Sequence, residues 1–150
     1  MGKIVNLNDL SFKKNKSRVL VTGCFDVLHK AHKDFLKKAK KQALILIVGL
    51  EQDKRVNQLK GENRPINSFN IRANNLLKLK AVDYVFLLPE NFKSKRKQID
   101  LLLLIKPDVL ALSENTPFLK KKKKILKDLK IKLFVFPYNP EYSTTSLLTK

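Results

Sequence analysis

The chain holds one cysteine, Cys24. No disulfide can therefore close within it, and no cysteine-based zinc spacing exists. Long apolar runs are also missing. The longest, Ala43 to Val48, falls well short of the ~20 residues a bilayer crossing requires. No leader of basic, then apolar, then small residues opens the sequence. Together with the lone thiol, these absences lead to an expected cytoplasmic location. Acidic residues are scarce, at 13 against 32 basic ones, for a formal net charge of +19. Arginine is scarce among the cations, with 5 arginines to 27 lysines. Surfaces that read phosphates or bases specifically favour the guanidinium fork, so the lysine excess reads as compositional bias. Its field still draws anions in. No aromatic residue interrupts the lysine run 120–124, so that run offers no stacking platform for bases and reads as a solvated helix face.

What is present is a globular chain of 150 residues, 43% hydrophobic, enough for one domain over 1–150 with a real core. Residues 1–17 are polar and give a weaker signal. Apolar runs at 18–22, 43–50, 84–88, 108–112 and 132–136 read as five strands. Helices are expected after the first strand, after an Asn67 or Ser68 cap, over 98–105, over 117–129, and in a short turn capped by Ser143. Near-continuous apolar strands alternating with helices imply a parallel sheet covered on both faces. The expected fold is α/β, a Rossmann-like three-layer sandwich with a five-stranded parallel sheet. No internal repeat or linker divides it.

The stretch VTGCFDVLHKAHKDF, residues 21–35, holds both histidines of the chain. It closes the first strand and opens the first helix. In open α/β sheets ligands bind beyond the carboxyl ends of the strands. Gly23 permits close approach of backbone to ligand, and the helix start supplies free amides and a positive dipole end. His29 and His32 flank that end. Two imidazoles beside amides make a phosphate site.

Gly23, Phe25, Asp26, His29 and His32 match the G-x-F-D-x-x-H-x-G-H signature of the cytidylyltransferase-like nucleotidyltransferases. Five fixed residues at ~5% usage each coincide on the order of once in 10⁷ starting positions. The likeness continues along the chain. VGLEQDKRVNQLKGENRPIN (48–67), AVDYV (81–85), KPDVL (106–110) and STTSLL (143–148) resemble segments of bacterial heptose-1-phosphate adenylyltransferases. The sequence also resembles glycerol-3-phosphate cytidylyltransferase, a family member with different chemistry.

This resemblance implies transfer of AMP or CMP from a nucleoside triphosphate, ATP or CTP, to a sugar or polyol phosphate, with loss of pyrophosphate. His29, His32 and Lys60 are its expected catalytic residues. Gly23, Cys24, Phe25, Asp26, Arg64, Arg72, Ser143, Thr144 and Thr145 are expected to border the nucleotide and its phosphates. Asp26 is equally well suited to bracing the turn, and Cys24 has no base placed by sequence to make it a nucleophile. Mg²⁺ is expected with the triphosphate, and a homodimer is in keeping with the family. A basic nucleic-acid-binding protein and a catalytically inactive homologue are the alternatives.

Four departures mark the sequence. Ala31 stands at the glycine of H-x-G-H. Glu51 and Gln52 replace Asn-Ser before Asp53. NPEYSTT lacks the glycine before S-T-T. Leu112, Ser113, Glu114, Asn115 and Thr116 stand where the heptose enzymes carry K-G-x-D-Y, so heptose 1-phosphate is expected to be a poor acceptor.

Overall fold

The computed structural model describes residues 2–9, 16–114, 116 and 119–137. Its strands are β1 (Lys3–Ile4), β2 (Arg18–Gly23), β3 (Ile45–Leu50), β4 (Tyr84–Leu87), β5 (Val109–Ser113) and β6 (Lys132–Phe136). Its helices are α1 (Lys30–Lys40), α2 (Asp53–Lys60), α3 (Phe69–Leu77), α4 (Lys95–Ile105) and α5 (Leu119–Asp128), with a 3₁₀ turn at Leu7–Asp9. All strand pairs are parallel, in the order β1-β4-β3-β2-β5-β6.

Apolar alternation explains how the layers form. Every residue of β3 is buried, as a central parallel strand requires. Along β2, Val19 and Val21 face a core that includes Leu36, Leu46, Val48 and Leu76, beneath α1 and α3. Leu20, between them, faces the opposite core with Ile47, Phe86, Leu101, Ile105 and Leu126, beneath α4 and α5. Because side chains alternate across a strand, one short run feeds both layers.

The sheet has six strands, not the expected five. The extra strand is β1, which pairs through backbone alone: the Lys3 amide donates to the Asp83 carbonyl (3.0 Å) and Val5 to Val85 (2.9 Å). A two-residue edge pairing leaves no apolar pattern to read. Helix α2 was also not expected, because Val56 is its one buried residue and no periodicity announces it. Helix α4 starts before 98, where the Ser94 side chain accepts from the Lys97 amide at 3.4 Å. Within 117–129, α5 is described from Leu119, and the turn expected at Ser143 lies outside the described residues.

The strand order places the site. From β2 the chain steps to β3 and β4 on one side, then returns to pair β5 on the other side of β2. Such a reversal opens a crevice at the carboxyl ends of the two strands, and β2 ends at Gly23.

Candidate active site

Gly23 lies tight against the residue two places on. A Cβ there would sit 3.0 Å from Phe25 Cε2, so the ring occupies the space a side chain would need. Phe25 itself adopts φ 48°, a left-handed conformation uncommon for a bulky residue. Burial of its ring, 8% exposed, holds the conformation. The edge of that ring meets His32, with centroids 5.2 Å apart and planes at 63°.

Asp26 is 2% exposed and braces the turn. Its carboxylate accepts from Arg64 Nε (2.7 Å), the Ile66 amide (2.8 Å) and the Asn67 amide (2.8 Å). The Asn67 side-chain amide donates back to the Asp26 carbonyl at 2.7 Å. Burial alone would raise the Asp26 carboxyl, but the two amides and the Arg64 guanidinium outweigh it and hold it below the usual range. The 61–67 loop is thereby fastened to the motif turn.

Arg72 is fully buried and donates to four acceptors. These are the carbonyls of Asn67 (3.0 Å), Cys24 (2.9 Å) and Glu51 (2.9 Å) and the Asp53 carboxylate (2.6 Å). One guanidinium so ties the ends of β2 and β3 to the starts of α2 and α3. Its fork is directed at protein oxygens, which makes it a positioning group. Arg64 is 8% exposed, and its Nη2 is buried with no partner among the described residues.

The histidines meet at the start of α1. His29 is its N-cap residue, with extended backbone and no side-chain capping bond. The two rings are stacked, with centroids 3.7 Å apart and planes at 21°. Both ring nitrogens of His29 and Nδ1 of His32 are buried with no hydrogen-bond partner among the described residues. Burial lowers the His29 pKa. Burial, the neighbouring His29 and the Lys60 ammonium push His32 down to about 4, against a backbone hydrogen bond with Val27 that favours the charged form. Both imidazoles are therefore neutral near pH 7, each carrying one N–H; His32 bonds the Val27 backbone, while His29 has no partner among the described residues. Lys60, at the end of α2, is exposed, and its charge reaches both His32 and Cys24. Burial outweighs that charge at Cys24 and raises the thiol pKa, so the thiol stays protonated.

Gly23, Cys24, Phe25, Asp26, His29, His32, Lys60, Arg64 and Arg72 thus gather around the end of β2. Ser143, Thr144 and Thr145 lie outside the described residues. Asn67, as the partner of Asp26, and Lys122 were missed at the sequence level. Lys122 corrects the reading of 120–124 as a solvated face throughout, because it is half-buried while the other four lysines are exposed.

The parallel sheet, covered on both faces and carrying paired neutral imidazoles at a helix start beside its switch point, defines a Rossmann-like α/β domain. The chain belongs to the cytidylyltransferase-like family, whose model matches residues 20–149. It is 36% identical over 151 residues to the bifunctional protein HldE of Helicobacter pylori strain J99, covering 99% of this chain and 31% of that protein. It is 39% identical over 111 residues to HldE of Campylobacter fetus, covering 73% and 23%. The chain thus spans about a third or less of these curated relatives. Among solved structures, it is similar to the lipopolysaccharide core biosynthesis protein of Thermoplasma volcanium, at TM-score 0.66 and 28% identity over 83% of this chain and 98% of that one. Francisella tularensis pantoate-beta-alanine ligase shares the fold, at TM-score 0.66 and 20% identity over 94% of this chain and 69% of that one. Among the described residues, no helix is long and apolar enough to cross a membrane.

Proposed function

We propose that this domain transfers AMP or CMP from a nucleoside triphosphate to a sugar or polyol phosphate. An oxygen of the acceptor phosphate attacks the α-phosphorus, the bond from that phosphorus to the bridging oxygen breaks, and pyrophosphate leaves. The observation that carries this reading is the stacked histidine pair, with three buried, unpartnered ring nitrogens at the start of α1. Buried polar atoms are normally satisfied; each neutral ring carries one N–H, and that of His29, without a partner among the described residues, suits a phosphate oxygen. A neutral donor binds without the cost of burying a cation, and it meets charge that grows in the transition state.

Catalysis on this reading is positioning and electrostatics. Gly23 to Phe25 shape the turn that the nucleotide abuts. Asp26 and Arg72 hold that turn, while Lys60 and the free Arg64 Nη2 supply positive charge at its edge. Ser143, Thr144 and Thr145 are proposed to place hydroxyls on the β- and γ-phosphates. Among the described residues no three His, Cys, Asp or Glu are grouped to hold a metal. Mg²⁺ suits this site as the companion of the triphosphate, because it binds through substrate phosphates and water with few protein ligands. The charge of +19 would speed capture of both anionic substrates. A cytoplasmic location agrees with this chemistry, since nucleoside triphosphates are cytoplasmic substrates.

The test is pyrophosphate release over a grid of ATP, CTP and acceptor phosphates. Release that requires both a triphosphate and an acceptor is the expected result. Salt-dependent DNA binding without pyrophosphate release would instead favour the nucleic-acid reading.

A further inference from the structure

Four of the five arginines direct their guanidinium at protein oxygens. Arg18 donates to the Ile105 carbonyl (2.7 Å), Arg64 to Asp26 (2.7 Å) and Arg72 to four acceptors, while Arg96 pairs with Asp100 one turn on (3.5 Å). Arg55 is the exception. It has no hydrogen bond or ion pair among the described residues, and its Nε is buried. It stands in the first turn of α2 behind Lys54, where the helix dipole favours anions and opposes cations. Asp53, the acidic residue of that turn, is already paired with Arg72 at 2.6 Å.

Arg55, Lys54 and Gln52 line one wall of a polar cleft of about 80 Å³. The connection from β4 to α4 forms the other wall, with Glu90, Asn91 and Lys93. The Gln52 side chain fixes the walls together by donating to the Leu88 carbonyl at 3.1 Å. Three cations thus share the cleft with one carboxylate, and no ion pair joins Glu90 to any of them among the described residues. A guanidinium N–H shut off from both water and protein is a hydrogen bond left unmade. A tetrahedral oxyanion would supply it: two oxygens match the guanidinium fork, and the charge suits the two lysines and the start of α2. The cleft has room for one phosphate group and not for a nucleotide. It lies at the carboxyl ends of β3 and β4, close to the motif turn, since Gln52 follows Glu51, whose amide donates to the Gly23 carbonyl at 3.0 Å.

We propose that the cleft between α2 and the β4–α4 connection is a second oxyanion site, separate from the histidine pair, which takes a phosphate group. Arg55 donates to its oxygens, and Lys54 and Lys93 flank it as unpaired cations. The phosphate is either free or carried by a small phosphate ester. The site stands on its own geometry and does not depend on nucleotidyl transfer.

The experiment follows backbone amide NMR shifts while the protein is titrated with inorganic phosphate at constant ionic strength. In the parent, shifts at residues 52–55 and 90–93 should saturate along one binding curve. Arg55→Gln should weaken that curve about tenfold or more. Arg55→Lys should restore part of the loss, because it keeps the charge without the fork, and Lys93→Gln should weaken binding less. Lys120→Gln, which removes an exposed lysine outside the cleft, should match the parent and so exclude a general effect of net charge. His29→Ala should leave the curve in place. The melting temperature of Arg55→Gln should match the parent, because Arg55 has no protein bond to lose; should that variant fail to fold, Lys93→Gln decides. Glycerol 3-phosphate, titrated in the same way, separates an ester's phosphate from the free ion: whichever binds tighter is the ligand class, and loss of that binding in Arg55→Gln supports the site. Shifts that do not saturate, a curve unmoved by Arg55→Gln, or equal weakening by Lys120→Gln would overturn the proposal. None of these measurements depends on turnover, so failure of the nucleotidyl-transfer reading would leave them intact.

Discussion

His29 lies face to face with His32, ring centroids 3.7 Å apart. They stand three positions apart along the chain, yet His29 is the extended N-cap residue and His32 is already helical. Stacking therefore depends on where α1 begins as well as on helical spacing. Two protonated rings at that distance would repel, so the pair is built to be neutral when empty. Replacing either ring with alanine should lower kcat for pyrophosphate release by about 10² to 10³. The double variant should lose less than the product of the single losses, because the rings act as one unit. Turnover within threefold of the parent in both single variants would remove the pair from the mechanism.

Stability should fall in acid through His32. The unfolded chain protonates this residue near its ordinary 6.5, the folded chain only near about 4. Between those values the unfolded state binds more protons, so stability drops as pH falls and is insensitive to His32 above that window. The full contribution is up to about 3 kcal/mol, less whatever solvent screening removes from a partly buried ring. Denaturant unfolding of the parent and of His32→Gln between pH 4 and 7 checks this. The variant should show the shallower slope.

Asp26→Asn should destabilise the fold before it alters any chemistry. The substitution leaves the Arg64 guanidinium buried without its carboxylate, a loss of about 3 kcal/mol. In a chain of this size that lowers the melting temperature by about 6–12 °C. Proteolysis should then open the 61–67 loop, whose amides Asp26 holds. An unchanged melting temperature would show that the ion pair contributes little.

Heptose 1-phosphate should be a poor acceptor. Leu112 is 6% exposed and packed in the α4–α5 core, so it contributes no cation where the heptose enzymes carry lysine. Losing a hydrogen bond to a charged group costs about 1.5 to 3 kcal/mol, or roughly 10- to 100-fold in affinity. A kcat/KM with heptose 1-phosphate and ATP inside the ordinary range of about 10⁴ to 10⁸ M⁻¹s⁻¹ would contradict this.

The central strands were legible in the sequence because burial on both faces leaves unbroken apolar runs, as in ILIVGL of β3. The edge strand β1 was not, because two residues joined by backbone bonds carry no pattern. The histidine pair stood out because its spacing and its helix start are both local. Arg72 looked like any other basic residue near a phosphate motif. Its carbonyl partners come from positions 24, 51 and 67, and only the folded chain brings them together. Lys122 was hidden by its neighbours, since five consecutive lysines read as surface until the helix phase turns one of them inward.

The most direct measurement is ³¹P NMR of the reaction mixture with the triphosphate and acceptor found in the pyrophosphate grid. Nucleotidyl transfer requires loss of the α-, β- and γ-signals with matched appearance of pyrophosphate and one new diphosphate that joins nucleoside to acceptor. His29→Ala and His32→Ala should slow both products together. Formation of a nucleoside diphosphate with inorganic phosphate or a phosphorylated acceptor would place the cleavage at the γ-phosphorus and contradict the proposed reaction.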